Sequence, residues 1–158
     1  MRIVAQRVSR AEVRVEGRAV ASIGAGLMLL VAVERGDAAE DLAWCADKVI
    51  GMRIFADDEK KMNLSLLPAG GEILAVSQFT LAGSLRRGRR PSFDGAAPPE
   101  EAAGMYEEFV GRLRAAGAAV SSGIFGAMMD VELVNDGPVT MLLDSAERHR
   151  PRSKGAAF

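Results

Sequence analysis

The chain has 158 residues, 49% of them hydrophobic and 26% charged, with a formal net charge of −1 at pH 7. That is about the length of one domain with its own core, and the composition excludes disorder over most of it. No apolar run approaches the roughly 20 residues needed to cross a bilayer, and near-balanced charge argues against a broadly basic nucleic-acid surface.

Polar Gln6, Arg7, Ser9 and Arg10 follow the first four residues at once, unlike a signal peptide, so a cytoplasmic location is expected. Residues 2–9 and 11–16 alternate as strands, Gly17-Arg18 turns the chain, and residues 19–23 return as another strand. After Gly24-Ala25-Gly26, the continuous apolar run 27–33 predicts a central strand covered on both faces. Asp37 is the predicted N-cap of a first helix, with Glu40 completing a variant capping box and Gly51 stopping the helix after about Ile50.

Arg53-Ile54-Phe55 reads as a short strand, 56–61 as a charged loop, 62–67 as loop or strand, and Pro68-Ala69-Gly70-Gly71 as a break. Residues 72–81 begin as a buried strand and become polar, and 83–90 form a basic loop. Pro98-Pro99 opens a second helix, whose Glu100 and Glu101 at the start and Arg112 and Arg114 at the end match the helix dipole. Ala102, Met105, Tyr106, Phe109 and Leu113 are its apolar stripe, and Gly117 ends it. A short strand at 118–121 and a Gly- and Met-rich connection at 123–129 follow.

Two alternating runs, 131–134 and 139–143, flank Asn135-Asp136-Gly137-Pro138-Val139-Thr140, which reads as a hairpin turn held by sheet at both ends. Glycine reaches positive φ, and an X-Pro bond turns cis for only about 0.5–1 kcal/mol. The step is therefore either an ordinary turn or a rigid device aiming two carbonyl oxygens the same way. The order β-β-β-β-α-β-β-α-β-β-β predicts an α+β fold, a mostly antiparallel sheet or barrel carrying two helices. A single domain over 1–144 is expected, followed by a flexible basic tail at 145–158.

A lone cysteine excludes an intrachain disulfide, and no Cys/His cluster offers zinc ligands, so neither metal nor cofactor is expected. Cys45 shares a helical stripe with Leu42, Val49 and Met52, which favours a buried core thiol over a nucleophile. The lone His149 lies in an aperiodic tail and is a poor base for a Ser/His/Asp or Cys/His mechanism. Acid–base chemistry, if the chain is an enzyme, comes from elsewhere.

Ser77-Gln78-Phe79-Thr80-Leu81 and Asn135-Asp136-Gly137-Pro138-Val139-Thr140 together resemble the D-aminoacyl-tRNA deacylases of the bacterial and eukaryotic type. Gln6-Arg7-Val8, Arg53-Ile54-Phe55, Lys61-Met62-Asn63-Leu64 and Arg90-Pro91-Ser92-Phe93 extend the likeness in order and spacing up to about residue 144. The resemblance implies hydrolysis of the ester that joins a D-amino acid, or in some members glycine, to the terminal adenosine of tRNA. It implies a homodimer with active sites at the interface, where the Gly137-Pro138 step of one subunit, cis, enters the other's pocket. There its carbonyls would hold the α-amino group and leave no room for an L side chain, a specificity built from a clash.

By the same resemblance Arg7 would brace the Gly-Pro loop, where residue type alone also allows a surface cation. Phe125 and Met129 would line the amino-acid pocket, although on pattern alone they read as core. Ser77, Gln78 and Thr80 offer hydroxyls and an amide but no base, so the ribose 2′-OH of the substrate is expected to assist. Backbone N–H groups near Phe79 and Thr80 would polarise the carbonyl, and Thr80 reads as positioning rather than nucleophilic. Arg86, Arg87, Arg89 and Arg90 form either a solvated face or a contact to acceptor-stem phosphates. A non-catalytic RNA-binding module and a general small-ester hydrolase are the competing readings.

Overall fold

The computed structural model describes residues 1–86 and 88–149. Among these residues eight strands and two α-helices follow one another as β1 (Arg2–Val15), β2 (Arg18–Ile23), β3 (Gly26–Ala32), α1 (Ala39–Gly51), β4 (Phe55–Ala56), β5 (Met62–Leu64), β6 (Glu72–Ser77), α2 (Pro99–Ala115), β7 (Val120–Ser122) and β8 (Asp130–Asp144). The expected α+β class holds. The main sheet runs β2-β1-β3-β6-β7, with β8 pairing the other side of β1, and β4 pairs β5 in a small separate ribbon. No helix among the described residues is long and apolar enough to cross a membrane.

Pairing is antiparallel around β1 but parallel from β3 to β6 and from β6 to β7. Parallel neighbours need a crossover, and α1 and α2 are those two crossovers. The β3–β6 pairing opens at Gly26 against Glu72, where a Cβ on Gly26 would collide with the Glu72 carbonyl. Only glycine admits so close an approach.

The apolar run of β3 is buried on both faces, as its composition predicts. Leu27, Leu29 and Val31 meet Leu42, Cys45 and Val49 of α1 and Phe109, Val110 and Leu113 of α2 in one core, while Met28 joins Leu74 and Val76 in a second. Truncating any of the fully buried leucines would cost about 2–5 kcal/mol. Strand β1 serves both cores, Ile3 and Ala5 in the first and Val8, Ala11 and Val13 in the second. The two strands read over 2–9 and 11–16 are thus one, irregular in its middle.

Cys45 lies fully buried, and loss of solvent pushes its thiol up to about 12. Helix α1 is capped by Ala38 rather than Asp37: the Asp41 carboxylate accepts from the Ala38 N–H at 2.9 Å. Asp37 instead accepts from the Glu34 N–H at 2.7 Å and from the chain's ammonium terminus, so its carboxylate ties a loop instead of opening the helix. The first residues of the expected tail, Ser145–His149, form a 3-10 turn whose Ser145 is buried and donates its N–H to the Met1 carbonyl at 2.9 Å.

The hairpin expected at Asn135–Thr140 is absent. Both flanking runs belong to β8, and both pair with β1 instead of with each other. Between the pairs Gln6↔Thr140 and Val8↔Asn135, Arg7 alone opposes Asp136, Gly137, Pro138 and Val139. Alternation looks the same for two strands of a hairpin and for two arms of one strand, so only the partner distinguishes them. The Gly-Pro step is a large bulge on an edge strand.

Candidate active site

The buried run of β6 ends at Ser77, and the Gln78 N–H, bonded to the Val31 carbonyl at 2.7 Å, keeps the exit tied to β3. Phe79–Ala82 then winds as a 3-10 turn, closed by the Gly83 N–H on the Thr80 carbonyl at 3.0 Å. Gln78 Nε2 donates to Thr80 Oγ1. The N–H groups that open a helical turn have no carbonyl within it, which leaves those of Phe79 and Thr80 without a helical acceptor.

Ser77, Gln78, Phe79 and Thr80 line one wall of a cleft of about 690 Å³. Phe125 and Met129 line it too, together with Tyr106 from α2, so six of the residues assigned to the site from sequence meet here. The Tyr106 hydroxyl lies 2.9 Å from Ser122 Oγ, its ring centroid 6.0 Å from that of Phe125, and burial raises its pKa. The described lining contains no carboxylate, imidazole or thiol. Nothing in the wall can act as a general base near neutrality.

Gly137 and Pro138 do not line this cleft. The bond between them is cis, Gly137 has φ +111°, and both residues are exposed. Arg7 stands against the bulge with Nε 2.8 Å from Asp136 Oδ2, an ion pair out of hydrogen-bond alignment, and donates through Nη1 to the Ile54 carbonyl. A Cβ on Gly137 would lie 2.9 Å from Arg7 Nη2 and 2.9 Å from Val139 Cγ2.

Asn135 is a second clamp, to which the sequence reading gave no role. Its Nδ2 donates to the Arg7 carbonyl at 2.8 Å and to the Val139 carbonyl at 3.0 Å, spanning the neck of the bulge. An asparagine at the edge of a Gly-Pro excursion is the signal that could have found it, because its amide can stand in for a missing backbone partner.

The basic loop is a hairpin closed by reciprocal Ser84 and Ser92 backbone bonds of 2.7 and 2.9 Å. Arg86, Arg89 and Arg90 are exposed on it, and Arg87 lies outside the described residues. Phe93, just past the closure, packs edge-on against Phe79 with centroids 5.1 Å apart, which ties the loop's base to the 3-10 turn. Arg35, unremarked in the sequence, also lines the cleft.

Known proteins share the sequence and the fold of this chain. A family model described as D-Tyr-tRNA(Tyr) deacylase matches residues 4–144. A D-aminoacyl-tRNA deacylase of Koribacter versatilis is 57% identical over 92% of this chain and 97% of its own, and one of Geobacter sulfurreducens is 55% identical over 94% and 97%. A solved structure of a c-Myc DNA unwinding element binding protein superposes with a TM-score of 0.87 at 38% identity, covering 91% of this chain and 98% of that one. The chain belongs to the D-Tyr-tRNA(Tyr) deacylase family, a family of enzymes.

Proposed function

We propose that the chain hydrolyses the ester of D-aminoacyl-tRNA, releasing the D-amino acid and intact tRNA as a proofreading step of translation in the cytoplasm. The observation that carries this is a cleft with hydroxyl, amide and N–H groups but no base among its described lining. Such a wall suits a substrate that brings its own hydroxyl beside the scissile bond. The ribose 2′-OH assists the attack, the N–H groups of Phe79 and Thr80 receive the developing oxyanion, and Thr80, held by Gln78, positions the ester.

Chirality is sorted by Gly137 and Pro138 of a second copy of the chain. Within one copy the bulge is exposed and away from the cleft, while Arg7 and Asn135 hold it. In a homodimer each bulge enters the other's cleft, its carbonyls take the α-amino group, and Phe125 and Met129 flank the amino acid. Arg86, Arg87, Arg89 and Arg90 contact the acceptor-stem phosphates.

The test is incubation with D-tyrosyl-tRNA and L-tyrosyl-tRNA. Release of tyrosine from the first and not the second supports the proposal; equal release from both, or from neither, sinks it. The name of the solved DNA-binding relative favours a second reading, a nucleic-acid binder that does not cleave. Binding of D-tyrosyl-tRNA without release of tyrosine would establish that reading instead.

A further inference from the structure

We propose that Arg35 grips the phosphodiester on the 5′ side of the terminal adenosine, and so sets how far the 3′ end of tRNA enters the cleft. This rests on the reading of the cleft as the aminoacyl-ester site. Arg35 is the one ionised side chain among the described residues lining the cleft; the rest of the wall is apolar, hydroxyl or amide. A lone cation beside low-dielectric walls attracts an anion more strongly than one in open water. The aminoacylated adenosine carries one anion close to its ester, the phosphate linking it to the preceding nucleotide.

Arg35 is also held in place. Its backbone N–H donates to the Gly95 carbonyl at 2.9 Å and its Nε to the Asp94 carbonyl at 2.9 Å, next to a ladder that pairs Glu34 with Ala96. With Nε committed to the protein, Nη1 and Nη2 have no partner among the described residues. The side chain is exposed, and no carboxylate lies within ion-pair distance of it among those residues. A guanidinium fixed through one nitrogen and open through two presents the fork that phosphate oxygens accept.

Asp94 belongs to the base of the arginine hairpin, where Ser92 Oγ donates to its carboxylate at 2.6 Å. Arg35 and the hairpin are therefore mechanically joined but serve different phosphates, Arg35 the last one and the hairpin those further along the strand.

The test measures Kd for two non-hydrolysable amides, 3′-(D-tyrosylamino)-3′-deoxyadenosine with and without a 5′-phosphate. For the wild-type protein the phosphate should tighten binding about ten- to hundredfold, the range of a charge-assisted contact. Arg35→Ala should erase that difference while leaving Kd for the phosphate-free amide unchanged; Arg35→Lys should keep part of it. Arg89→Ala, on the hairpin, should keep all of it. With whole D-tyrosyl-tRNA, Arg35→Ala should also flatten the slope of log(kcat/KM) against log salt by about 0.7, one single-strand phosphate contact.

A phosphate effect that is missing from the wild type, or that survives in Arg35→Ala, overturns the assignment. Equal weakening of both amides by Arg35→Ala also overturns it, placing the residue at the amino acid or in the framework. A wild-type protein that cleaves D-tyrosyl-tRNA and yields one of these results fails here alone. One that cleaves no D-aminoacyl-tRNA removes the reading underneath.

Discussion

The 3-10 turn after β6 and the bulge of β8 carry the two sequence signatures, and they are opposites in form. The first is a concave wall, set at the end of a buried parallel strand and tied to β3 through Gln78. The second is a projection from an edge strand, fixed by Arg7 and Asn135. One offers side-chain hydroxyls and an amide; the other offers mainly backbone. A cavity and a peg that do not meet within one chain explain why a second copy is needed in the proposed mechanism, and why the two parts fail differently.

The largest effect should come from the substrate side of the cavity. Replacing the 2′-OH of the terminal adenosine by hydrogen is expected to abolish cleavage of D-tyrosyl-tRNA in single-turnover assays, whereas Thr80→Ala should cost only about tenfold. The reverse order would make the wall, not the nucleic acid, the source of chemistry. Next comes the peg itself. Gly137→Ala places a methyl against Arg7 and Val139 at a φ of +111°, and a displaced bulge should lower kcat/KM on D-tyrosyl-tRNA roughly a hundredfold. Because the site is exposed, circular dichroism should report a folded protein.

Arg7→Ala should act more gently, lowering kcat/KM roughly tenfold and stability by about 1 kcal/mol. A denaturant titration beside the kinetics separates the two. If L-tyrosyl-tRNA becomes a substrate, loosening of the peg has cost selectivity. Activity that stays at the wild-type level would show that Asn135 suffices.

The smallest effect lies outside both regions. Burial raises the Cys45 thiol from an ordinary 9.0 to about 12. Below pH 9 the thiol is protonated folded or unfolded; above it the unfolded chain loses a proton that the native chain keeps, so stability falls as pH rises towards 12. Cys45→Ala should flatten that decline in thermal melts at pH 9 to 11 without changing activity at pH 7. A loss of activity at neutrality would tie the core thiol to the cleft and break the division drawn between them.

What the sequence made legible follows from which signals are local. Helix α2 announced itself by charged ends and an apolar stripe, and β3 by an uninterrupted apolar run, because a dipole and two-sided burial leave marks in neighbouring residues. The parallel pairings of β6 left no such mark, since strand direction depends on a crossover many residues away. Arg35 was invisible for a similar reason: an arginine after a strand is ordinary until Asp94 and Gly95 are brought beside it. Asp37 misled as a cap because its carboxylate had a stronger claim at the Glu34 N–H.

The irregular middle of β1 couples the bulge to the packing of the domain. Buried side chains point to the first core at Ile3 and Ala5 and to the second at Val8, Ala11 and Val13, so regular alternation holds as far as Val8 and breaks before Ala11, at the register shift that adjoins the bulge. Restoring a regular ladder there would turn the second half of β1 over, taking Ala11 and Val13 out of the second core and sending Arg10 and Glu12 towards it. Because the two register shifts are neighbours on β1, a change that removes the projection also disturbs the strand that carries both cores.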